Sequence, residues 1–248
     1  MEPAVLSSVV DGVATVTLRN PAKRNALTPG MWRTLAATVA ELATEPDVRM
    51  LVLTGHGGTF SAGADITGLR SGTAPRELAS AAEEALAAFP GPTLAVVRGH
   101  CVGGGCQLAV ACDLRLAAQD AVLGITPARL GIVYPPGATA RLSRLVGPAT
   151  AKYLLFSAEL IGAERALTCG LVNEVHPAEA LDDRVAALTA TLTARSRLSQ
   201  QAAKAFVDHG PEGDHAERWS GPRNAEHELA EGVAAFLERR EPRFRWPG

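Results

Sequence analysis

The chain has 248 residues, and its 24 Lys and Arg nearly balance its 26 Asp and Glu, for a formal net charge of -2. This balance excludes the strongly basic surface with which proteins bind nucleic acid or anionic membranes. Hydrophobic residues make up 47% of the sequence, which excludes a disordered chain. No apolar run approaches the roughly 20 residues of a membrane span, and no signal peptide is recognisable. We therefore expect a soluble, globular, cytoplasmic protein, whose four cysteines are reduced and mostly buried because none forms a Cys-x-x-Cys pair.

Strand and helix patterns alternate along most of the chain. Period-two runs over residues 5–10 and 13–19 flank Asp11-Gly12 and predict a β-hairpin. Thr28 followed by Pro29 predicts a helix start, with the helix continuing to about residue 43. Later patterns predict strands over residues 50–54, 93–97, 114–117, 121–123 and 171–175, and helices over 76–89, 104–111, 137–146 and 148–157. Residues 178–237 predict three helices, broken near Arg195 and Gly210, and no strand, so the predicted fold class is α/β.

Two glycine-rich turns each follow an apolar strand and precede a helix. The first reads TGHGGTFSAGADI over residues 54–66, and the second reads RGHCVGGGCQL over residues 98–108. Glycine lets a ligand approach the backbone, and a helix start presents N–H groups that lack intrahelical partners, so either turn could donate to an oxygen anion. Neither turn fits a phosphate-binding P-loop or a dinucleotide-binding fingerprint. A turn that is tight for steric reasons alone is the alternative explanation.

Three motifs, in this order, resemble the enoyl-CoA hydratase/isomerase (crotonase) superfamily. They are NPAKRNAL at residues 20–27, FSAGADI at 60–66, and GGGCQLA at 103–109 followed by Cys112-Asp113. RLGI at 129–132, RLVG at 144–147, GLVN at 170–173 and FLERR at 236–240 also match, so the resemblance covers essentially the whole chain. It implies a crotonase-like spiral of ββα units over residues 1–195 and a C-terminal helical trimerisation region over residues 196–248. It also implies a homotrimer, often paired into a hexamer.

The resemblance implies an acyl-CoA thioester as substrate or ligand and no tightly bound cofactor. The thioester oxygen would be held by the backbone N–H groups of Ala64 and Gly104, which form an oxyanion hole. Contacts with coenzyme A are implied for residues of the N-terminal loop, the first glycine turn and the C-terminus: Lys23, Arg24, Ala26, Ala62, Ile66, Phe236 and Arg239. Arginine suits phosphate because its planar fork donates bidentately, and a solvated basic surface is the alternative for the charged residues. The six histidines form no metal-binding motif, so no metal ligand is predicted.

Both glutamates that the resemblance assigns to hydration are replaced in this sequence. Hydratases of the family use one glutamate to orient a water and a second as general acid and base. These positions fall on Gln107 and Pro127. An amide can position water but cannot take up a proton at neutral pH, and proline has no polar side chain. The isomerase branch uses the second position as its base, so ordinary hydration and isomerisation are both expected to be weak.

Several residues near the turns could replace the missing base. Asp65 could act in catalysis, although helix capping is the interpretation we favour. Tyr134 is expected to line the acyl pocket rather than to donate a proton. His100 could titrate near neutral pH, and Cys101 and Cys106 lie near a helix start, but ordinary packing explains all three better.

The sequence therefore predicts an acyl-CoA-binding member of this superfamily. Its nominal activity is that of an enoyl-CoA hydratase (a lyase) or an enoyl-CoA isomerase, both enzymes of fatty acid metabolism. Its acid and base groups would differ from those usual in the family. Two alternatives stay open. One is a non-catalytic acyl-CoA binder or carrier, which the replaced glutamates favour, and the other is a thioester hydrolase or C–C bond enzyme in which Gln107 positions water or substrate.

Overall fold

The computed structural model describes residues 2–66, 76–210, 219 and 222–246. The described strands are β1 (Ala4–Val10), β2 (Val13–Arg19), β3 (Met50–Gly55), β4 (Thr93–Val97), β5 (His100–Val102), β6 (Leu114–Ala118), β7 (Val122–Gly124), β8 (Ile161–Gly162) and β9 (Glu174–His176). The described helices are α1 (Pro29–Thr44), α2 (Arg76–Ala87), α3 (Gly104–Ala111), α4 (Pro136–Ser157), α5 (Ala163–Thr168), α6 (Leu181–Thr193), α7 (Arg197–His209) and α8 (Pro222–Glu238). Short 3-10 helices cover Pro21–Lys23 and Pro127–Leu130.

The strands form two sheets that the chain visits in turn. The larger sheet has the order β1-β2-β3-β4-β6-β9, and the smaller sheet has the order β5-β7-β8. β1 and β2 pair antiparallel as the predicted hairpin, and the remaining pairs of the larger sheet are parallel. β4 leads into β5 and then α3, and β6 leads into β7 and then α4. This repeated ββα path confirms the predicted α/β spiral.

Helix α1 begins where the sequence predicted. The Thr28 hydroxyl accepts a hydrogen bond from Met31 N at 3.2 Å, and Pro29 occupies the first helical position, where an N–H is not needed. The apolar face of α1 then packs into the main core through Met31, Trp32, Leu35, Val39 and Leu42.

Helix α4 contains the two helices predicted over residues 137–146 and 148–157. Gly147 between them has a φ of +77°, outside the helical range, and Pro148 starts the second segment. A kink at this point is expected because proline cannot donate to the preceding turn. Both halves contribute buried residues to the main core, among them Leu142 and Leu154.

The predicted strand over residues 171–175 is wrong in its first part. Leu171 N and Val172 N donate to Ala166 O, so these buried residues close the end of α5 instead of joining a sheet. The pairing of β9 starts only at Glu174. The apolar run reflected burial rather than strand pairing. Three short elements were not predicted: β5 lies inside the second glycine-rich turn, β8 has only two residues, and α5 has fewer than two helical turns.

A buried arginine holds the C-terminal end of α3. Arg115 is 2% exposed, and its NH1 donates to Cys112 O (2.6 Å) and Ala109 O (3.4 Å) while its Nε donates to Leu171 O (2.9 Å). A guanidinium suits this place because the last carbonyl groups of a helix lack N–H partners and carry partial negative charge. The contact anchors the helix whose first residue is Gly104.

The C-terminal part of the described chain is helical, as predicted. Helices α6, α7 and α8 correspond to the three expected helices. Helix α7 contacts the spiral through Lys204 Nζ and Asp113 Oδ2, which are 2.8 Å apart, and through Arg197 NH1 and Pro46 O, which are 3.1 Å apart. The domain boundary at residue 195 stays a prediction. None of the helices in the described ranges combines the length and apolar character needed to cross a bilayer.

Glu174→Gln is expected to weaken the edge of the larger sheet at neutral pH. Two hydrogen bonds from Arg184, and a third contact with His176, all of 2.7 Å, lower the pKa of Glu174 to about 2. Since this lies below the ordinary value of about 4.3, the stabilisation is complete above that value and is lost as the pH falls towards 2. Denaturant melts of the two proteins should differ at neutral pH and converge in acid. Glu179→Gln removes a nearby exposed charge as the control, and a Glu174→Gln deficit that persists unchanged in acid would contradict the account.

Candidate active site

The two glycine-rich turns lie side by side after β3 and β4. Ser61 N donates to His100 O at 2.8 Å, and Val102 N donates to Ser61 O at 3.0 Å. Ser61 and Cys101 thereby form an isolated parallel β-bridge. The segment around Ser61 thus corresponds, in the β3–α2 repeat of the spiral, to β5 in the following repeat. The spiral is what brings residues 61–65 against residues 100–105.

Glycine at two positions sets how closely these turns approach. A Cβ on Gly63 would lie 2.7 Å from Val102 O and 3.1 Å from Gly104 N. A Cβ on Gly105 would lie 2.7 Å from Ser61 O and 2.9 Å from Ser61 Cβ. Gly63 also has a φ of +98°, which residues with a side chain rarely adopt. No other residue would allow the two backbones to meet here without displacement.

The predicted oxyanion donors, Ala64 and Gly104, lie next to each other. A Cβ on Gly104 would be only 3.4 Å from Ala64 N. Gly104 is the first residue of α3, where the N–H has no intrahelical acceptor, and Gly103 before it has no capping side chain. Within the described part of the chain, neither N–H donates to a protein acceptor, and both residues are partly exposed. Two such N–H groups, one of them at the positive end of a helix, are the arrangement that can bind an oxygen anion.

Trp32 of α1 closes the buried side of this site. Its side chain is fully buried, and its Cζ2 and Cη2 atoms would be 3.0 and 3.2 Å from a Cβ on Gly104. The indole Nε1 is buried and has no hydrogen-bond partner among the described residues. Sequence reasoning did not single out Trp32 because an aromatic residue on the apolar face of a helix predicts core packing and nothing more.

Asn25 holds the first glycine turn in place. Its fully buried side chain donates from Nδ2 to His56 O (2.9 Å) and Thr59 O (2.8 Å), and its Oδ1 accepts from Asn20 N (2.9 Å). Its own carbonyl accepts a bond of 2.8 Å from the Ser61 hydroxyl. Asn25 has a φ of 57°, a left-handed conformation that Asn tolerates better than most residues. The motif at residues 20–27 therefore shapes the backbone of the site.

Gln107, at the first family glutamate position, contacts a carboxylate that the sequence analysis did not predict. Its Nε2 donates to Glu83 Oε2 at 2.6 Å, and the other carboxylate oxygen accepts from Arg141 NH1. Glu83 is 1% exposed and Gln107 is 4% exposed, so the guanidinium of Arg141 balances a buried charge. A glutamate introduced at position 107 would meet a second carboxylate here.

The sequence did contain a signal for Glu83. Ala79, Ala82 and Leu86 follow the spacing of a buried stripe on α2, and Glu83 falls on the same stripe. A charged residue at such a position indicates a buried partner. The identity of that partner could not be predicted because it depends on how α2, α3 and α4 pack together.

Pro127 and Tyr134 lie on the segment that borders the start of α3. Pro127 begins a 3-10 helix, and its carbonyl accepts from Ile132 N at 3.0 Å. The neighbouring Thr126 hydroxyl would be 3.5 Å from a Cβ on Gly103, a proximity that the sequence did not indicate. Tyr134 packs against the main core, and burial raises the pKa of its phenol well above the ordinary value. This phenol stays protonated at neutral pH and cannot serve as a base there.

Asp65 pairs with a basic residue of the N-terminal loop. Its Oδ2 lies 2.7 Å from Lys23 Nζ, and its backbone N–H donates to Leu27 O at 2.9 Å. Arg24 NH1 donates to His100 Nε2 at 3.4 Å. These contacts place the loop with the two predicted coenzyme A cations against both glycine turns. The helix capping predicted for Asp65 would act on backbone outside the described residues.

The other predicted coenzyme A residues fall into two groups. Ala26 is buried, Ala62 N donates to Arg24 O at 2.9 Å, and Ile66, the last residue of the first turn, is 61% exposed. Phe236, near the end of α8, is 83% exposed, and Arg239 follows that helix. The family resemblance implies that this second group reaches the coenzyme A bound to a neighbouring subunit, and this contact stays a prediction.

The thiols of Cys101 and Cys112 are poor nucleophiles in this environment. Burial raises the pKa of Cys101 and raises that of Cys112 to about 12, so both stay protonated at neutral pH. The four cysteines are free, and Cys106 is also buried. Within residues 2–66, 76–210 and 222–246, no group of three or more His, Cys, Asp or Glu side chains is placed to hold a metal ion.

Comparison with known proteins identifies the family. The family model for enoyl-CoA hydratase/isomerase matches residues 9–246. The crotonyl-CoA hydratase of Syntrophomonas wolfei is 34% identical over 244 residues, which cover 94% of each chain. A solved enoyl-CoA hydratase/isomerase family member has a TM-score of 0.93 at 39% identity and covers 99% of this chain and 98% of its own. An enoyl-CoA hydratase/carnithine racemase from Magnetospirillum magneticum has a TM-score of 0.91 at 30% identity and covers 99% and 96%.

The fold and the paired N–H groups define a protein of the ββα spiral class with a candidate oxyanion hole. The chain belongs to the enoyl-CoA hydratase/isomerase family.

Gly105→Ala is expected to destabilise the protein by about 2 kcal/mol because the new methyl group would overlap Ser61 of the first turn. Gly30→Ala is the matched control, since Gly30 is likewise the second residue of its helix but a Cβ there would have its nearest contact at 3.7 Å. The control should be neutral or slightly stabilising. Denaturant melts measure both changes. Equal stability of the two variants would show that the turns do not touch as described.

Proposed function

We propose that this protein binds an acyl-CoA thioester and stabilises its enolate with the backbone N–H groups of Ala64 and Gly104. The observation that carries the proposal is the pair itself, two adjacent N–H groups with no protein acceptor among the described residues. Family membership supports the ligand class, and the relative from Syntrophomonas wolfei is named for a crotonyl-CoA activity.

The proposed chemistry follows the charge that develops on the thioester oxygen. When an acyl-CoA loses its α-proton, or when a nucleophile attacks the β-carbon of an enoyl-CoA, an electron pair moves onto that oxygen. Donors held in place before the reaction stabilise this charge without reorganisation, and each is typically worth about 3 to 4 kcal/mol. Because both donors here are backbone groups, the identity of the side chain at position 64 matters little.

We further propose that this protein does not hydrate enoyl-CoA by the two-glutamate route of the family. Gln107 can position a water or a substrate group but cannot take up its proton, and Pro127 has no side-chain acid. A hydratase or isomerase reaction would need another acid/base group. Reactions in which Gln107 only positions water or substrate, such as thioester hydrolysis or C–C bond chemistry, remain within this proposal.

A non-catalytic acyl-CoA binder or carrier is the second candidate. It is favoured because Glu83, the buried carboxylate beside Gln107, does not supply the missing base. Both of its oxygens already accept hydrogen bonds from protein donors. A thiol assay for released coenzyme A, together with mass analysis of the acyl product, distinguishes the two candidates. Turnover above the uncatalysed rate supports an enzyme, and binding without turnover supports the carrier.

We also propose that the protein works as a trimer, or a pair of trimers, in the cytoplasm. Exposed apolar residues on α8 follow a helical spacing and form an apolar face: Leu229, Val233, Phe236 and Leu237. A second copy of the chain would cover this face, and would bring Phe236 and Arg239 towards a ligand as the family resemblance implies.

Gly104→Ala is expected to weaken butyryl-CoA binding about tenfold or more. The added methyl group would lie 3.0 Å from the buried Trp32 ring, closer than ordinary contact, so α3 would shift and move Gly104 N relative to Ala64 N. Titration calorimetry measures the affinity, and a thermal melt checks that the variant is folded.

Gly30→Ala, at an exposed position of α1, is the control and should bind as the unmodified protein does. A folded Gly104→Ala variant with unchanged affinity would overturn the assignment of the oxyanion hole. Absence of binding by the unmodified protein, across a series of acyl chain lengths, would overturn the proposed function itself.

A further inference from the structure

Glu83 has a role that neither core packing nor the family motifs explain. It lies on the buried stripe of α2 and places a charge 1% exposed among apolar residues. Burying a carboxylate is unfavourable unless it is paired and hydrogen-bonded. Both conditions are met: Arg141 supplies the opposite charge, and Gln107 supplies a second donor. Glu83 is therefore held in a fixed position against Gln107.

The carboxylate of Glu83 dictates which end of the Gln107 amide turns towards it. An ionised carboxylate only accepts hydrogen bonds, so the amide must present its NH2 group, and the Nε2 to Oε2 distance is 2.6 Å. The amide oxygen, Oε1, therefore points away from Glu83. It makes no hydrogen bond with a described residue, and it is not among the fully buried side-chain atoms that lack a partner there. Gln107 thus offers an acceptor atom that is open to a ligand.

The open acceptor lies close to the proposed oxyanion hole. Gln107 is three residues after Gly104 on α3, and residues with this spacing lie on the same face of a helix. We propose that Glu83, fixed by Arg141, is a positioning residue that keeps Oε1 of Gln107 directed at the acyl group of a bound thioester. The site then favours acyl groups that carry a hydrogen-bond donor near the thioester, such as a 3-hydroxyl, over those that carry only an acceptor, such as a 3-oxo group. This inference rests on the proposed function.

Glu83 is assigned to positioning and not to proton transfer because of its contacts. One oxygen accepts from Arg141 and the other from Gln107, so both face donors rather than the ligand. Arg141 also donates to Glu84 at 3.0 and 2.7 Å, which leaves the guanidinium with a charged partner when Glu83 is neutralised. Glu83→Gln is therefore a change that the fold can accept.

Glu83→Gln should reverse the polarity that Gln107 shows to the ligand. Arg141 needs an acceptor, so the new amide would turn its oxygen to the guanidinium and its NH2 group to Gln107. Gln107 would then turn its Oε1 towards that NH2 group and direct its Nε2 at the acyl group. A ligand carbonyl at C3 would find a donor in place of an acceptor.

The experiment compares the Kd of 3-hydroxybutyryl-CoA with that of acetoacetyl-CoA, at a mildly acidic pH where the latter is not ionised, with butyryl-CoA as the reference. In the unmodified protein the hydroxy ligand should bind about tenfold more tightly than the oxo ligand. Glu83→Gln should reduce this ratio to about one or less, while the affinity for butyryl-CoA changes little. Adding Gln107→Glu to Glu83→Gln should restore the preference, because a carboxylate presents oxygen in both directions.

Glu84→Gln is the control, since it removes another partner of Arg141 without a contact to Gln107, and it should keep the tenfold ratio. A ratio that Glu83→Gln leaves unchanged, or that Gln107→Glu fails to restore, would overturn the inference even if butyryl-CoA binds normally. Failure of the unmodified protein to bind butyryl-CoA would instead overturn the proposed function. A merely structural role for Glu83 would lower the affinity for all three ligands equally, and that result also overturns the inference.

Discussion

The site depends on the direct contact between two backbone segments, residues 61–64 and residues 102–105. Gly63 and Gly105 allow this contact, because a Cβ on either would lie within 2.7 Å of a carbonyl oxygen of the other segment. Ala64 N and Gly104 N become neighbours only because the segments approach this closely. The sheet pairing on either side sets the register of the two turns, so the spiral and the site are consequences of the same packing.

Helix α3 connects the proposed oxyanion hole to the core, and polar groups act at three places along it. Gly104 at its start presents the open N–H, Gln107 one turn later meets Glu83, and Arg115 holds the carbonyl groups at its end. The two buried charged groups on this path, Glu83 and Arg115, are each hydrogen-bonded, and these bonds help to hold the helix in one position. A movement of α3 would therefore displace the Gly104 N–H and the Gln107 amide together, and both changes would affect ligand binding.

Much of the fold and part of the site could be predicted from the sequence. The hairpin, α1 with its Thr28 cap, and the glycine turns have strong local signals, and the family motifs add the roles implied for Ala64 and Gly104. β5 and β8 were not predicted because β5 lies inside the sequence interpreted as the second glycine-rich turn and β8 has only two residues. The Glu83 contact was missed for another reason. Its signal, a charge on an apolar stripe, is local, but its partners come from α3 and α4.

The central claim is that Ala64 N–H and Gly104 N–H together bind the thioester oxygen. Infrared difference spectra of butyryl-CoA, unlabelled and labelled with carbon-13 at the carbonyl carbon, measure this directly, because hydrogen bonds to the oxygen lower the carbonyl stretching frequency. The account predicts a clear shift to lower frequency when the ligand binds the unmodified protein, and a smaller shift when it binds Gly104→Ala. A bound ligand whose carbonyl frequency equals that in water would contradict it.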